Sequence, residues 1–195
     1  MTPLKVHKDM NIREIKFTPL LVPYAQPYYW SQGVTQGADV LLIEICGENG
    51  FVGFGECLAT PTAKGVQAFV EEAAKCLIGQ SVFDRDRLMT VCYQSLFQFR
   101  GSVSAARFGG QVLAGLEMAL WDLQGKALDR QVYELLGGAQ RQYVEYFGFI
   151  QGSEPKDLAR DAVALVQQGH RTIYCKVCIL YTSPSPRDLS TYRKA

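Results

Sequence analysis

Residues 114–138 read AGLEMALWDLQGKALDRQVYELLGG. Leu116, Ala119, Leu120, Leu123 and Ala127, preceded by Val112, recur at three- and four-residue spacing, which predicts a helix with one apolar stripe. A short further turn over 132–136 is expected to stop at Gly137 and Gly138. A helix with a single apolar stripe must bury that stripe against another element. The residues before it supply one, and Leu120 and Trp121 are expected to pack on it.

Upstream, residues 12–21 predict a strand that ends before Pro23. Residues 23–37 carry two prolines, two glycines and the cluster Tyr28, Tyr29, Trp30 and Ser31, which reads as an aromatic loop. Residues 39–46 (DVLLIEIC) and 51–57 (FVGFGEC) read as two strands around the turn Glu48-Asn49-Gly50. The first third is thus expected to be a three-stranded antiparallel meander. Val66, Phe69, Val70, Ala73, Ala74 and Leu77 then switch to helical spacing, with Gly79 as the stop. Asp84 is the expected cap of a second helix carrying Leu88, Val91, Cys92 and Leu96, and Gly101 breaks the chain before the third. Sheet first and helices after is an α+β arrangement.

Downstream the period changes again. Residues 143–150 predict a strand, residues 154–168 a helix opened by Ser153 and Pro155 and closed by Gly169, and residues 172–177 a second strand. One strand–helix–strand unit is the building block of parallel sheets and of βα barrels, and alone it cannot cover both faces of its strands. Residues 179–195 (ILYTSPSPRDLSTYRKA) have neither period and are expected to be unstructured. LYTSPSPRD resembles the translation of a sequencing-library adaptor, on which reading native sequence ends near Lys176 or Val177 and Cys178 belongs to the adaptor. The expected domains are therefore 1–138, 139–178, and an artefactual tail over 179–195.

Composition narrows the functional classes. Of 195 residues, 48% are hydrophobic and 20% charged, with a formal net charge of +1. That is a globular balance with no electrostatic footprint for nucleic acid or a membrane surface. No apolar run approaches the roughly 20 residues of a membrane span, and no secretory signal opens the chain, so the cytoplasm is the expected compartment. Cys46, Cys57, Cys76 and Cys92 sit in apolar stretches, as buried free thiols do, while Cys175 and Cys178 make one isolated CxxC, a weak sign of redox or zinc chemistry. His7 and His170 are too few and too scattered for a histidine metal site.

The stretch ALWDLQGKAL followed by YELLGG resembles the signature of the mandelate racemase and muconate lactonizing group of the enolase superfamily, with Gln131 where a proline usually stands. DVLLIEICGENGFVGFGE, GQSVFDRDRL and GHRTIYCKV resemble, in order, the family's second and third strands, the entry to its second helix, and the approach to barrel strand two. The resemblance implies an α+β capping domain followed by the incomplete start of a (β/α) TIM-type barrel.

It also implies a chemistry. Such enzymes take the proton next to a carboxylate, and a divalent metal, Mg²⁺, offsets the charge of the enediolate while a positioned base accepts the proton. In the family the metal ligands lie on barrel strands three to five, so none is expected in this chain. Lys176 matches the second lysine of a K-x-K pair at the end of strand two and is the candidate catalytic base. Tyr174 replaces the first lysine; as alternate residues of one strand, the two are expected to face the barrel interior. Tyr28, Tyr29, Trp30 and Ser31 match a lid over the barrel mouth and are candidate substrate-binding residues, together with Tyr174. Expected of the parent protein are a small carboxylate substrate, such as an aldonate or aldarate undergoing dehydration, and a homo-oligomer. The alternatives are a racemase or cycloisomerase using the same enolate, or a non-catalytic capping fragment, since the chain itself is expected to be inactive.

Overall fold

The computed structural model describes residues 10–30, 33–60, 62–98, 106–151 and 154–175. The chain separates into two compact units: Met1–Val22 with Ala38–Gln140, and Pro23–Gly37 with Arg141–Ala195.

The first unit is built on a meander in the order β1-β2-β3. The strands are β1 (Ile12–Trp30), β2 (Gly33–Gly47) and β3 (Val52–Leu58). β2 and β3 run antiparallel from Val40↔Leu58 to Cys46↔Val52. The tight return between them uses the Gly50 N–H, which donates to the Gly47 carbonyl at 3.1 Å, and a positive φ of 83° at Gly50. The expected loop over 23–37 is corrected: those residues belong to the two strands, apart from 31 and 32, which lie outside the described residues. Prolines and glycines suggest a break, but Tyr, Val and Thr between them suit an extended chain, and proline is tolerated on an edge strand such as β1.

Three longer helices follow β3. α1 (Ala63–Ala74) opens at Thr62, whose hydroxyl accepts the Gly65 N–H at 3.1 Å. α2 (Arg85–Tyr93) continues as a π-helical turn, Gln94–Gln98, and α3 spans Ala106–Leu128. Asp84 does stand at the start of α2, yet it does not cap the helix. Its carboxylate takes Arg87 Nη2 at 2.9 Å, and Ser81 instead caps the preceding 3-10 turn through the Phe83 N–H.

The core lies where α1, α2 and α3 meet the sheet: Leu41, Ile43 and Ile45 of β2 are fully buried with Val66, Val70, Leu88, Leu116, Leu120 and Leu123. The main seam joins α3 to β3, and it is a backbone contact. A Cβ on Gly53 would stand 2.1 Å from the Ala119 carbonyl oxygen, and one on Gly55 would stand 2.1 Å from that of Gly115. Gly115 in turn faces Ile43 Cδ1 at 2.9 Å from the position its own Cβ would take. Leu120 is buried as expected, but Trp121 is only half-buried and does not enter the meander. One residue further round the helix, its ring carries the Arg85 guanidinium 3.4 Å from its centroid.

Past α3, Asp129 takes a positive φ of 53°, and α4 (Val132–Leu135) begins after Gln131. Gln131 has the φ of −70° that proline would impose. Its N–H, which proline lacks, donates to Glu134 Oε2 at 2.9 Å, so the departure from the family pattern gains a bond.

The second unit pairs β4 (Gly148–Ile150) in parallel with β5 (Ile173–Cys175) around α5 (Pro155–Gln167), which Gly169 closes with a φ of 97°. The first strand is shorter than expected. Residues 143–147 form no strand, and residues 176 and 177 lie outside the described residues. The side-chain alternation of 143–147 suits a strand, but backbone pairing needs a neighbour, and β5 offers one only over 148–150.

Because the seam admits no Cβ, Gly55→Ala should destabilise the chain at or beyond the upper end of the about 1–3 kcal/mol usual for overpacking. Gly110, on the open side of α3 with nothing within 4 Å of the Cβ position, is the control. Gly110→Ala should stabilise by up to about 1 kcal/mol. Urea unfolding of the two variants should therefore shift in opposite directions.

Candidate functional site

The βαβ unit places side chains by simple alternation. Gly148 faces α5, where a Cβ would meet Leu165 Cδ1 at 2.9 Å, and its parallel partner is Ile173. Phe147, Phe149 and Tyr174 therefore lie on the other face of the strands, away from α5. Phe149 and Tyr174 are register partners, and their rings stack with centroids 5.3 Å apart at 21°. Phe147 meets Tyr174 at 5.3 Å and 41°, and Tyr28 from β1 meets Phe149 at 5.5 Å and 35°. Offset or tilted rings at such separations attract beyond the area they bury. The four rings make one aromatic surface with Tyr174 still 45% exposed.

The polar frame of the unit is set from behind. The Gly148 N–H donates to the Thr172 carbonyl at 2.8 Å, and His170 Nδ1 lies 3.1 Å from the Tyr146 carbonyl. The Gln151 N–H donates to Asp161 Oδ2 at 3.3 Å, tying the end of β4 to α5.

Of the residues that the sequence singles out, Tyr28 and Tyr174 come together, each against Phe149. Tyr29 and Trp30 have their backbone in β1, and Ser31 and Lys176 lie outside the described residues, as do Cys178 and the tail over 179–195. Phe147 and Phe149 were not singled out, although their i, i+2 spacing in YFGFI signals one strand face. Chemically the surface offers aromatic faces for C–H groups and two phenol hydroxyls for hydrogen bonds. Among the described residues no three His, Cys, Asp or Glu side chains gather where they could hold a metal ion. No described helix is long and apolar enough to cross a membrane.

The cysteines are free wherever they are described. Burial pushes the Cys92 thiol up to about 12, with a smaller push from Cys76, and burial pushes Cys57 up to about 11, helped by the Glu56 carboxylate. Neither is a nucleophile near neutral pH. Cys175 is exposed.

An antiparallel meander sealed by helices, followed by a βαβ unit with an aromatic inner face, defines an α+β capping domain and the start of a (β/α) barrel. The mandelate racemase/muconate lactonizing enzyme N-terminal domain model matches residues 12–137, and the chain belongs to that family, within the enolase superfamily. A D-galactonate dehydratase of Variovorax paradoxus is 31% identical over 158 residues, 80% of this chain and 40% of that protein. A dipeptide epimerase of Enterococcus faecalis, crystallised with Mg and L-Leu-L-Tyr, is 25% identical with a TM-score of 0.72, over 86% of this chain and 46% of its own. An enolase of Pseudomonas fluorescens with magnesium, potassium and tartrate has the same fold at 19% identity and a TM-score of 0.70, covering 85% and 45%. The chain thus spans two fifths of the curated relative's length.

The thiol shifts fix a pH dependence. A thiol whose folded pKa is raised keeps its proton when the unfolded thiol ionises, so its contribution to stability is whole below the ordinary value of 9.0 and is lost as pH rises towards about 12. Urea midpoints should fall between pH 9 and 11, and Cys92→Ala should flatten that slope. At pH 8 a disulfide reagent should label Cys175 at once, and Cys57 and Cys92 only after unfolding.

Proposed function

We propose that the whole protein is an acid-sugar dehydratase that removes the proton α to a carboxylate and expels the β-hydroxyl. The observation that supports this reading most directly is the aromatic surface of Tyr28, Phe149, Tyr174 and Phe147 on the inner face of the first two barrel strands. The D-galactonate dehydratase relatives supply the direction.

Each residue then has a role. Lys176, the residue that follows β5 in the sequence, accepts the α-proton. Tyr174, two residues earlier, donates its hydroxyl to the substrate carboxylate or a neighbouring hydroxyl. Tyr28, Tyr29, Trp30 and Ser31 close over the sugar chain, the rings taking its C–H faces and excluding water. Tyr174 brings a phenol, and no positive charge, to the position where the family pattern has its first lysine. A bound Mg²⁺ supplies Lewis-acid stabilisation of the enediolate. In this reading its ligands come from barrel strands other than β4 and β5, and the domains divide as 1–138 and 139–178, with 179–195 outside both.

A second reading keeps the enolate and changes its fate: reprotonation on the other face gives a racemase or epimerase. The dipeptide epimerases among the structural neighbours favour it. A third is that the 195-residue chain is a non-catalytic capping fragment.

The test uses Mg²⁺ with a panel of aldonates, aldarates and dipeptides, following solvent deuterium entry at Cα and release of a 2-keto-3-deoxy acid. The whole reading frame should release the keto acid from an aldonate, and Lys176→Met should reduce exchange by about 10²–10⁴-fold, the usual worth of a positioned base. Exchange without dehydration would select the racemase reading. The 195-residue chain should show no exchange above background.

A further inference from the structure

α5 lies along β4 and meets it at both ends. Leu165 Cδ1 stands 2.9 Å from the position a Cβ of Gly148 would take, and Asp161, one helical turn earlier, reaches Gln151. The bond it makes closes an edge. The Gly148 N–H points to β5, where the Thr172 carbonyl accepts it, and successive N–H groups of a strand point to alternate sides. The Gln151 N–H therefore belongs to the other side of β4, which among the described residues has no strand beside it. Asp161 Oδ2 accepts that N–H at 3.3 Å, so the donor is satisfied from the helix.

The residue held in this way also continues the aromatic face. Side chains alternate along a strand, so the face of Phe147 and Phe149 runs on to Gln151. Gln151 is half-buried at the carboxyl end of β4, and barrel enzymes carry their reacting groups at that end of their strands. On β5, Tyr174 is the register partner of Phe149, and Lys176 comes two residues later in the sequence. Gln151 adds to this surface what rings lack. Its carboxamide donates and accepts at once, as a hydroxyl does, and it carries no charge to repel a carboxylate.

We infer that Gln151 is a specificity-determining residue whose carboxamide takes one hydroxyl of the substrate chain, and that Asp161 is the positioning residue that holds it. The inference rests on the acid-sugar reading proposed above and narrows it. The α- and β-hydroxyls are common to every acid sugar, so the hydroxyl that discriminates lies further along the chain. A substrate without it leaves the amide unpaired, and a site with an unpaired polar group rejects such a substrate. Asp161 acts through the backbone. Freeing the Gln151 N–H removes the bond that ties this residue to α5, and the amide is no longer held on the aromatic face.

The experiment measures kcat/KM for keto-acid release by the whole reading frame, with an aldonate and with deoxy analogues each lacking one hydroxyl beyond the β-carbon. Gln151→Leu should lower kcat/KM for the aldonate by about tenfold, the worth of one lost hydrogen bond. For one analogue the parent and the variant should agree within about twofold, because the partner of the amide is then gone from both. Asp161→Ala should lose about the same factor as Gln151→Leu, and should add nothing to it in the double variant. Asp161→Asn, which keeps an oxygen acceptor, should restore most of that loss. If Gln151→Leu does not melt cooperatively, Gln151→Met takes its place with the same outcomes. An active parent whose Gln151 variant keeps its rate, or loses it equally on every analogue, overturns the inference and leaves the dehydratase reading standing. An Asp161→Ala loss that adds to that of Gln151→Leu overturns the positioning role. A parent that releases keto acid from no acid sugar overturns the dehydratase reading, and the inference falls with it.

Discussion

The first unit depends on how closely α3 lies on β3. With no side chain at Gly53, Gly55 or Gly115, helix backbone meets strand backbone, and everything else is arranged around that contact. The approach lets the stripe of Leu116, Ala119, Leu120 and Leu123 reach Ile43 and Ile45 on the neighbouring strand, so one helix seals the sheet. It also brings Asp122 and Lys126 within reach of the strand edge, which a helix at ordinary distance could not do with side chains of that length. Gly125 repeats the device at the helix end, where a Cβ would press on the Arg130 carbonyl at 2.8 Å.

The signature WDLQGK can thus be taken apart physically. Trp121 supports Arg85, Asp122 and Lys126 occupy the edge of β3, Leu123 enters the core, and Gly125 lets the chain turn back through the Arg130 N–H to its own carbonyl at 2.9 Å. Gln124, between them, is a buried polar residue whose amide donates to the Val82 carbonyl at 2.5 Å and joins α3 to the turn before α2. A buried amide left without that acceptor would cost about 1–3 kcal/mol.

Much of this was legible in the sequence because it is periodic. The stripe of α3, the β2–β3 return at Gly50 and the capping glycine Gly169 follow from spacing and from positions that need a positive φ. What failed depended on partners far away in the chain. Residues 23–37 look like a loop through their prolines and glycines, and their place in two strands is set by pairing that local composition does not encode. Trp121 looks like core by size, but whether it faces the sheet is decided by a rotation of one residue and by Arg85, 36 positions earlier in the numbering. The candidate site divides similarly. That Tyr174 shares a strand face with Phe149 follows from alternation, whereas the meeting of Tyr28 with Phe149 joins residues 121 positions apart in the chain.

The bond between the Gln131 N–H and Glu134 also bears on how such sequences diverge. Relatives with proline at the first position have no amide hydrogen for the glutamate to accept, so there the acid is released from its reciprocal role. Where the first residue is not proline, the acid is retained by a backbone donor that would otherwise face solvent alone. The two positions should consequently drift as a pair, and the rigidity lost with the pyrrolidine ring is regained as a hydrogen bond. A substitution that looks like the erosion of a family motif is, at this turn, an exchange of one kind of restraint for another.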